Sequence, residues 1–495
     1  MFIRRKRFHS ALSKDGKSAE AFMPVRLIES LATTAPLSDL FSDQSILQSM
    51  LDFEVALARA EARFRLIPRS AADAIAAAAK ADAFDPAALS GATLRAGTPV
   101  IPFVKALTEH VRGIDSMAAG FVHWGATSQD VADTALVLLL KRAQLIFDAD
   151  LTRLEQGLKR LAKKHGATVM LGRTLMQPAP PTTFGLKAAG WLNVISRSHR
   201  RLNNAFATTL IVQFGGASGT LASLGGRGLA VGRALADELG LGLPDAPWHT
   251  HRDRLAELIC ACGILTGSLG KMARDISLLM QGEVGEAAEP SEPGRGGSST
   301  MPHKRNPTGC SLTLAAAVRA PGLVAGFLSA MVQEHERALG GWQSEWPTVS
   351  GIIQASGLAI SSMAEVAEGL TVDPARMRAN IEATKGVIFA ERAMMLLGDK
   401  LGRDVAHKLL EEATLKSIAE GRSLASVLAD MSEVTEHLDA ATIRGLDVPE
   451  QYLGMADEFR IRLLASTPRP KTVRLTANQS KKRPRKTKLT NARKK

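Results

Sequence analysis

Three long stretches without proline constrain this chain more than any other feature. Residues 103–177, 248–289 and 322–346 contain none. Proline removes a backbone donor and clashes with the preceding turn, so such spans leave room for helices far longer than the usual three turns. Residues 135–165 read as one helix, on the order of 45 Å long at about 1.5 Å per residue. An earlier helix begins at Ser42. There Ile46, Met50, Phe53, Leu57, Ala60 and Phe64 fall at spacings of 4, 3, 4, 3 and 4, one apolar stripe on one face. Ile67-Pro68 ends it. Alanine-rich turns follow over residues 71–81, then a Gly/Pro stretch around residues 97–102. Convincing strand alternation is absent. The pattern predicts an all-α chain built on a central bundle of long helices.

The formal net charge of +13 is misleading until it is located. Residues 466–495 carry twelve Lys/Arg and no acid, and residues 1–30 carry seven Lys/Arg against three acids. With +12 and +4 at the two ends, residues 31–465 carry −3. The body is therefore mildly acidic. The expected divisions are a basic N-terminal extension (1–30), an N-terminal helical domain (31–120), a central long-helix bundle (121–366), a C-terminal helical domain (367–465) and a basic tail (466–495). Both extensions have little to bury and are expected to be disordered. Nonspecific contact of the tail with nucleic acid is the functional alternative to a solvated tail. The first 25 residues lack the apolar segment of a secretory signal. They have some transit-peptide character, and an extension or an early start codon fits them better. No uninterrupted apolar run approaches the roughly 20 residues of a membrane span. Cys260, Cys262 and Cys310 make no disulfide framework or metal-ligand spacing and read as core thiols in a reducing compartment, the cytoplasm.

The chemistry concentrates in residues 294–310, GRGGSSTMPHKRNPTGC. Gly294, Gly296 and Gly297 permit φ > 0, Ser298 and Ser299 supply hydroxyls, and Lys304 and Asn306 add a cation and an amide. Asn306-Pro307 before an apolar run reads as N-cap and first helical residue. A helix N-terminus beside a lysine would receive a carboxylate or phosphate. On residues alone, a Gly/Ser-rich surface loop is the alternative. As a string, GSSTMPHKRNP resembles the signature loop of the fumarase/aspartase superfamily, G-S-S-x-x-P-x-K-x-N. That resemblance implies three all-α domains and a homotetramer whose sites draw on three subunits. It also implies a site without metal or organic cofactor, acting on a small dicarboxylate or tricarboxylate. Ser298 would be the base on a C–H next to a carboxylate, with Ser299 a further candidate. Lys304 and Asn306 would hold the carboxylate and the enediolate.

Other segments extend the resemblance. In His123-Trp124-Gly125-Ala126-Thr127-Ser128-Gln129-Asp130, Thr127 or Ser128 suits a helix cap; in the superfamily the Thr-Ser pair donates to a substrate carboxylate, with His123 a further candidate. Gly172-Arg173-Thr174-Leu175-Met176-Gln177 resembles a region whose G-R-T-H histidine is the proposed general acid. Here Leu175 stands in its place, and an aliphatic side chain transfers no proton. Thr174 and Gln177 are pocket candidates; Arg173 is either one or the partner of an acid. Residues 213–220, QFGGASGT, make a weak nucleotide loop, and the family analogue suggests a pocket role for Gln213. His249 and His251 could suggest zinc, but a helix entry near the substrate fits better.

His335-Glu336-Arg337 and MPHKRNP point toward the adenylosuccinate lyase-like side, with Arg337 a candidate. That branch's proton donor is replaced by Leu175, its supporting acid by Ser311, and an earlier histidine is missing from residues 97–100. Instead HWGATSQDV, FGLKAAGWL, QFGGASGTLASLG and EHERALGGWQSEW resemble the 3-carboxy-cis,cis-muconate cycloisomerase family of the bacterial β-ketoadipate route. The resemblance covers roughly residues 35–460 and implies lactone formation through an enediolate. A C–N lyase such as adenylosuccinate lyase is the enzymatic alternative. A noncatalytic nucleic-acid-binding protein using its tail is the alternative from another class.

Overall fold

A computed structural model describes residues 27–291, 296–297, 300–301 and 303–466. Of the two basic ends, residues 1–26 and 467–495 lie outside the described residues. Six helices carry the argument: α1 (Asp43–Arg63), α2 (Ser128–Lys164), α3 (Phe184–Thr209), α4 (Asp253–Leu279), α5 (Thr308–Ala330) and α6 (Gly341–Gly369). α2, α3, α4, α5 and α6 pack into one bundle, whose core runs from Leu136 and Phe147 through Leu265 and Phe327 to Ile353 and Met363.

Ser42 caps α1 through its side chain, as the sequence indicates. α2 starts seven residues earlier than the apolar run predicts and is 37 residues long. Its extra turns follow from Asp130, whose carboxylate accepts the Thr127 N–H at 3.0 Å. The alanine-rich segment is a helix, Arg69–Ala78, with Ala71, Ala72 and Ile75 buried, rather than turns. A short hairpin also forms, β1 (Val169–Thr174) against β2 (Gln177–Thr183), with a register shift between Leu171 and Gly172. Three prolines within QPAPPTT hide any alternation, which is why the sequence shows no strand there.

The third proline-free span does not form one helix. It contains the connection between α5 and α6, whereas Pro321 and Pro347 lie inside those helices. Each removes one intrahelical bond, and extensive mutual packing of α5 and α6 sustains the helices through them.

The expected boundary at residue 120 is not a boundary of packing. The N-terminal core, around Phe53, Leu57, Phe103 and Leu107, includes Val131, Ala132 and Ala135 from the start of α2 and Trp342 from α6. A separate C-terminal core gathers Leu397, Leu410, Leu428 and Ile443. Cys262 and Cys310 are buried and Cys260 half-buried, so only two of the three thiols are fully core.

Although no apolar run is uninterrupted, α4, α5 and α6 are each long and apolar enough to cross a membrane by length and composition. α4 and α6 bury most of that apolar stretch inside the chain, while α5 buries only 22%.

Candidate active site

The helices run back and forth, so the sequence-predicted residues collect at two ends of the bundle. At the first end, Arg337 Nη1 donates to Thr127 Oγ1 at 2.7 Å, and its Nη2 donates to the Ala217 carbonyl at 3.1 Å. Thr127, Ser128 and His123 are half-buried there. His123 donates or accepts through Nδ1 to Glu54 Oε1 at 2.7 Å. Burial pulls the imidazole down, but the Glu54 charge and hydrogen bond, with Asp130 behind them, hold it above its ordinary value.

Beneath these residues lies a buried polar network. Asp130 accepts from the amides of Gly215 (3.0 Å) and Gly216 (2.9 Å) and contacts His249 Nε2 at 2.8 Å. The glycine-rich 213–220 segment thus offers its amides to a protein carboxylate, which excludes the phosphate-cradle reading of those two donors. Gln213 is fully buried. Its Oε1 accepts from Trp248 N at 2.9 Å and its Nε2 reaches Asp133 at 3.4 Å. With both ends of the amide engaged and no exposed surface, Gln213 supports the site's frame rather than facing a ligand. Arg252, also fully buried, bridges Asp133 (2.7 Å) and Glu345 (3.0 Å), and Trp342 donates to Asp133 at 3.1 Å. His249 enters this frame, as a helix-entry reading anticipates, while His251 is exposed.

The second end holds the hairpin and the signature segment. Arg173 grips Glu286 through both terminal nitrogens, at 2.9 and 2.6 Å, so it is the partner of a buried acid. Thr174 and Gln177 are exposed on the hairpin, flanking Leu175 and Met176, whose φ values are 48° and 67°. Leu175 is 97% exposed. Lys304 is exposed and Asn306 half-buried. The Asn306 N–H donates to the Gly296 carbonyl at 2.9 Å, and a side chain at Gly296, where φ is 66°, would meet the Asn306 carbonyl at 2.7 Å. Ser298 and Ser299 lie outside the described residues.

One expectation is corrected here. α5 begins at Thr308, after Pro307, and its Gly309 and Cys310 amides donate to Glu289 at 2.9 and 2.8 Å. The anion that the helix end favours is thus a side chain of the same protein. Glu54, Asp133, Arg252, Glu286, Glu289 and Glu345 were not singled out from sequence; Asp130 alone had a local signal, as the third residue after a threonine cap.

The two ends are far apart. Thr127 precedes α2 and Thr174 follows it, and 37 helical residues span about 55 Å. Arg173–Glu286 places the signature segment at the Thr174 end, whereas Arg337–Thr127 places Arg337 at the other. Within one chain these residues do not meet.

Residues 30–322 match the lyase family profile, and residues 386–463 match that of the adenylosuccinate lyase C-terminus. With the bundle and signature segment described above, this chain belongs to the fumarase/aspartase superfamily of lyases. A 3-carboxy-cis,cis-muconate cycloisomerase of Bradyrhizobium diazoefficiens is 48% identical over 90% of this chain and 98% of its own. The crystal structure of 3-carboxy-cis,cis-muconate lactonizing enzyme from Pseudomonas putida superposes with a TM-score of 0.84 at 45% identity, covering 89% of this chain and 98% of the other. A nitrosuccinate lyase of Streptomyces davaonensis is 43% identical over 87% of this chain and 92% of its own. Within the superfamily, the chain is a member of the 3-carboxy-cis,cis-muconate cycloisomerase family.

Proposed function

We propose that this protein interconverts 3-carboxy-cis,cis-muconate and 4-carboxymuconolactone, a step of protocatechuate breakdown. The observation that carries the choice is Leu175. Where C–N lyases of the superfamily place a proton donor for the leaving group, this chain presents an aliphatic side chain on an exposed turn. Lactonisation does not need that donor. A substrate carboxylate oxygen adds across the double bond, the electron pair moves into an enediolate, and one proton is added at carbon. In reverse, a base removes that proton and the C–O bond breaks to release a carboxylate, which is stable without protonation. Ser298 is assigned the proton transfer at carbon. Lys304 and Asn306 are assigned the enediolate charge, and Thr127, Ser128 and Arg337 another carboxylate.

A site of this composition requires several chains, and a homotetramer satisfies it. The 55 Å scale separating its parts supports this reading, as does the uncovered face of α5, where Val318 is 80% exposed. A cytoplasmic location suits three cysteines, two of them buried, that read as core thiols.

The test is a continuous ultraviolet assay with 3-carboxy-cis,cis-muconate, with adenylosuccinate and nitrosuccinate run in parallel. Loss of the diene absorbance is expected with the first substrate. Turnover of either of the others, without it, would overturn the assignment.

A further inference from the structure

Behind the Thr127 end lie two buried carboxyls that the chemistry above does not use. Glu54 and Glu61 stand two turns apart on α1 and are 1% and 0% exposed. Neither oxygen of Glu61 has a hydrogen-bond partner. Burial, helped by the charge of Glu54, pushes the Glu61 carboxyl up to about 9. Glu61 therefore keeps its proton at pH 7, beside the Glu54 carboxyl.

Glu54 Oε1 lies 2.7 Å from His123 Nδ1, and the His123 side chain is 18% exposed. His123 occupies the left-handed region at φ 60°, which a non-glycine residue adopts at a cost of about 1 kcal/mol or more. The backbone is thus held in an unfavourable conformation that delivers Nδ1 to Glu54 and leaves Nε2 as the ring nitrogen available to a ligand. The charged groups acting on the ring are Glu54 from α1 and Asp130 from α2. His123 lies four residues before Thr127, which already receives Arg337. A tricarboxylate has three anionic groups to hold, and Lys304 and Arg337 account for two.

We infer that Glu54 is a positioning residue, which holds His123 through Nδ1 and leaves Nε2 for a ligand, and that His123 binds a substrate carboxylate beside Thr127. The substrate part rests on the cycloisomerase reading; the Glu54–His123 part does not.

Steady-state kinetics on Glu54→Gln, His123→Asn, the double variant and Glu61→Gln separate the roles. Glu54→Gln and His123→Asn should each raise KM for 3-carboxy-cis,cis-muconate about tenfold with kcat nearly kept, and the double variant should be no worse than His123→Asn. Glu61→Gln, which mimics the neutral acid, should keep the wild-type KM. A purely structural Glu54 would instead lower the folded fraction and kcat together at constant KM, and that result would overturn the inference. So would a Glu61→Gln variant with the same KM rise. Independently of any substrate, ¹³C-histidine NMR should show the His123 signal, identified by its loss in His123→Asn, titrating at lower pH in Glu54→Gln than in wild type. If the wild-type enzyme is silent toward the muconate, the functional reading fails alone, and an unchanged titration in Glu54→Gln then overturns the positioning role.

Discussion

Glu61 shows how one buried group ties stability to pH. In the unfolded chain its carboxyl ionises near 4.5, while in the fold it holds its proton to about 9. The folded state therefore binds a proton that the unfolded state releases, so stability falls as pH rises across that window. Glu61→Gln removes the linkage. Its unfolding free energy in urea should exceed that of wild type at pH 8 by on the order of 4–5 kcal/mol, and approach it at pH 5. On the proposed mechanism, Ser298→Ala should lower kcat by at least about a hundredfold while leaving thermal unfolding unchanged. Full activity in that variant would remove Ser298 from the mechanism. The two residues differ in how they were found. Ser298 stands in a recognisable string, whereas Glu61 is an ordinary polar position until its burial is known.

Among the elements, α2 depends on side chains that reach it from distant segments. His199 of α3 contacts Asp148 (3.0 Å) and Glu155 (3.2 Å) on α2. Burial opposes its protonation, but the two carboxylates prevail and push the imidazole up to about 9. Its stabilisation is complete below about 6.5, the unfolded value, and is lost as pH rises through about 9. Denaturation at pH 7 and pH 10 should show wild type losing on the order of 2 kcal/mol more than His199→Gln. Further along, Arg252 compensates Asp133 and Glu345, both buried. Arg252→Met should cost about 3–5 kcal/mol, because it strands their charge. α3 begins with backbone against backbone: a side chain at Gly185 would sit 2.7 Å from the His165 carbonyl. Gly185→Ala should lower stability by about 1–3 kcal/mol, read from the unfolding midpoint. The heptad-like stripe of α1 was readable from periodicity, and most of α2, though not its first seven residues, from its proline-free span. The hairpin was not, since its prolines break the alternation by which strands are recognised.

For the whole molecule, the proposed site draws on two ends of a bundle about 55 Å long, and that assignment has a direct consequence. Thr127→Ala and Lys304→Ala chains should each be nearly inactive alone. Co-refolded as a mixture, they should recover part of wild-type activity, because some sites in mixed assemblies receive both intact residues. A mixture no more active than its components would show that a single chain completes the site. The same assembly should cover the α5 face, so hydrogen exchange along Thr308–Ala330 should be slow despite its exposure in one chain.

The sequence by itself determined the helical class, the basic ends, the signature segment and the missing proton donor at Leu175. The helical class and the basic ends follow from residues close together in the chain, while the signature segment and the role missing at Leu175 were read through resemblance to the superfamily. Tertiary structure decided what those residues face. Glu289 occupies the α5 helix end that looked open to a ligand, Gln213 is enclosed rather than exposed, and Arg173 belongs to Glu286. It also brought Glu54 to His123 across 69 residues and Arg252 to Asp133 across 119. Hydrogen bonds and charge pairing act over a few ångströms, and only packing of the long helices decides which distant residues come within that range.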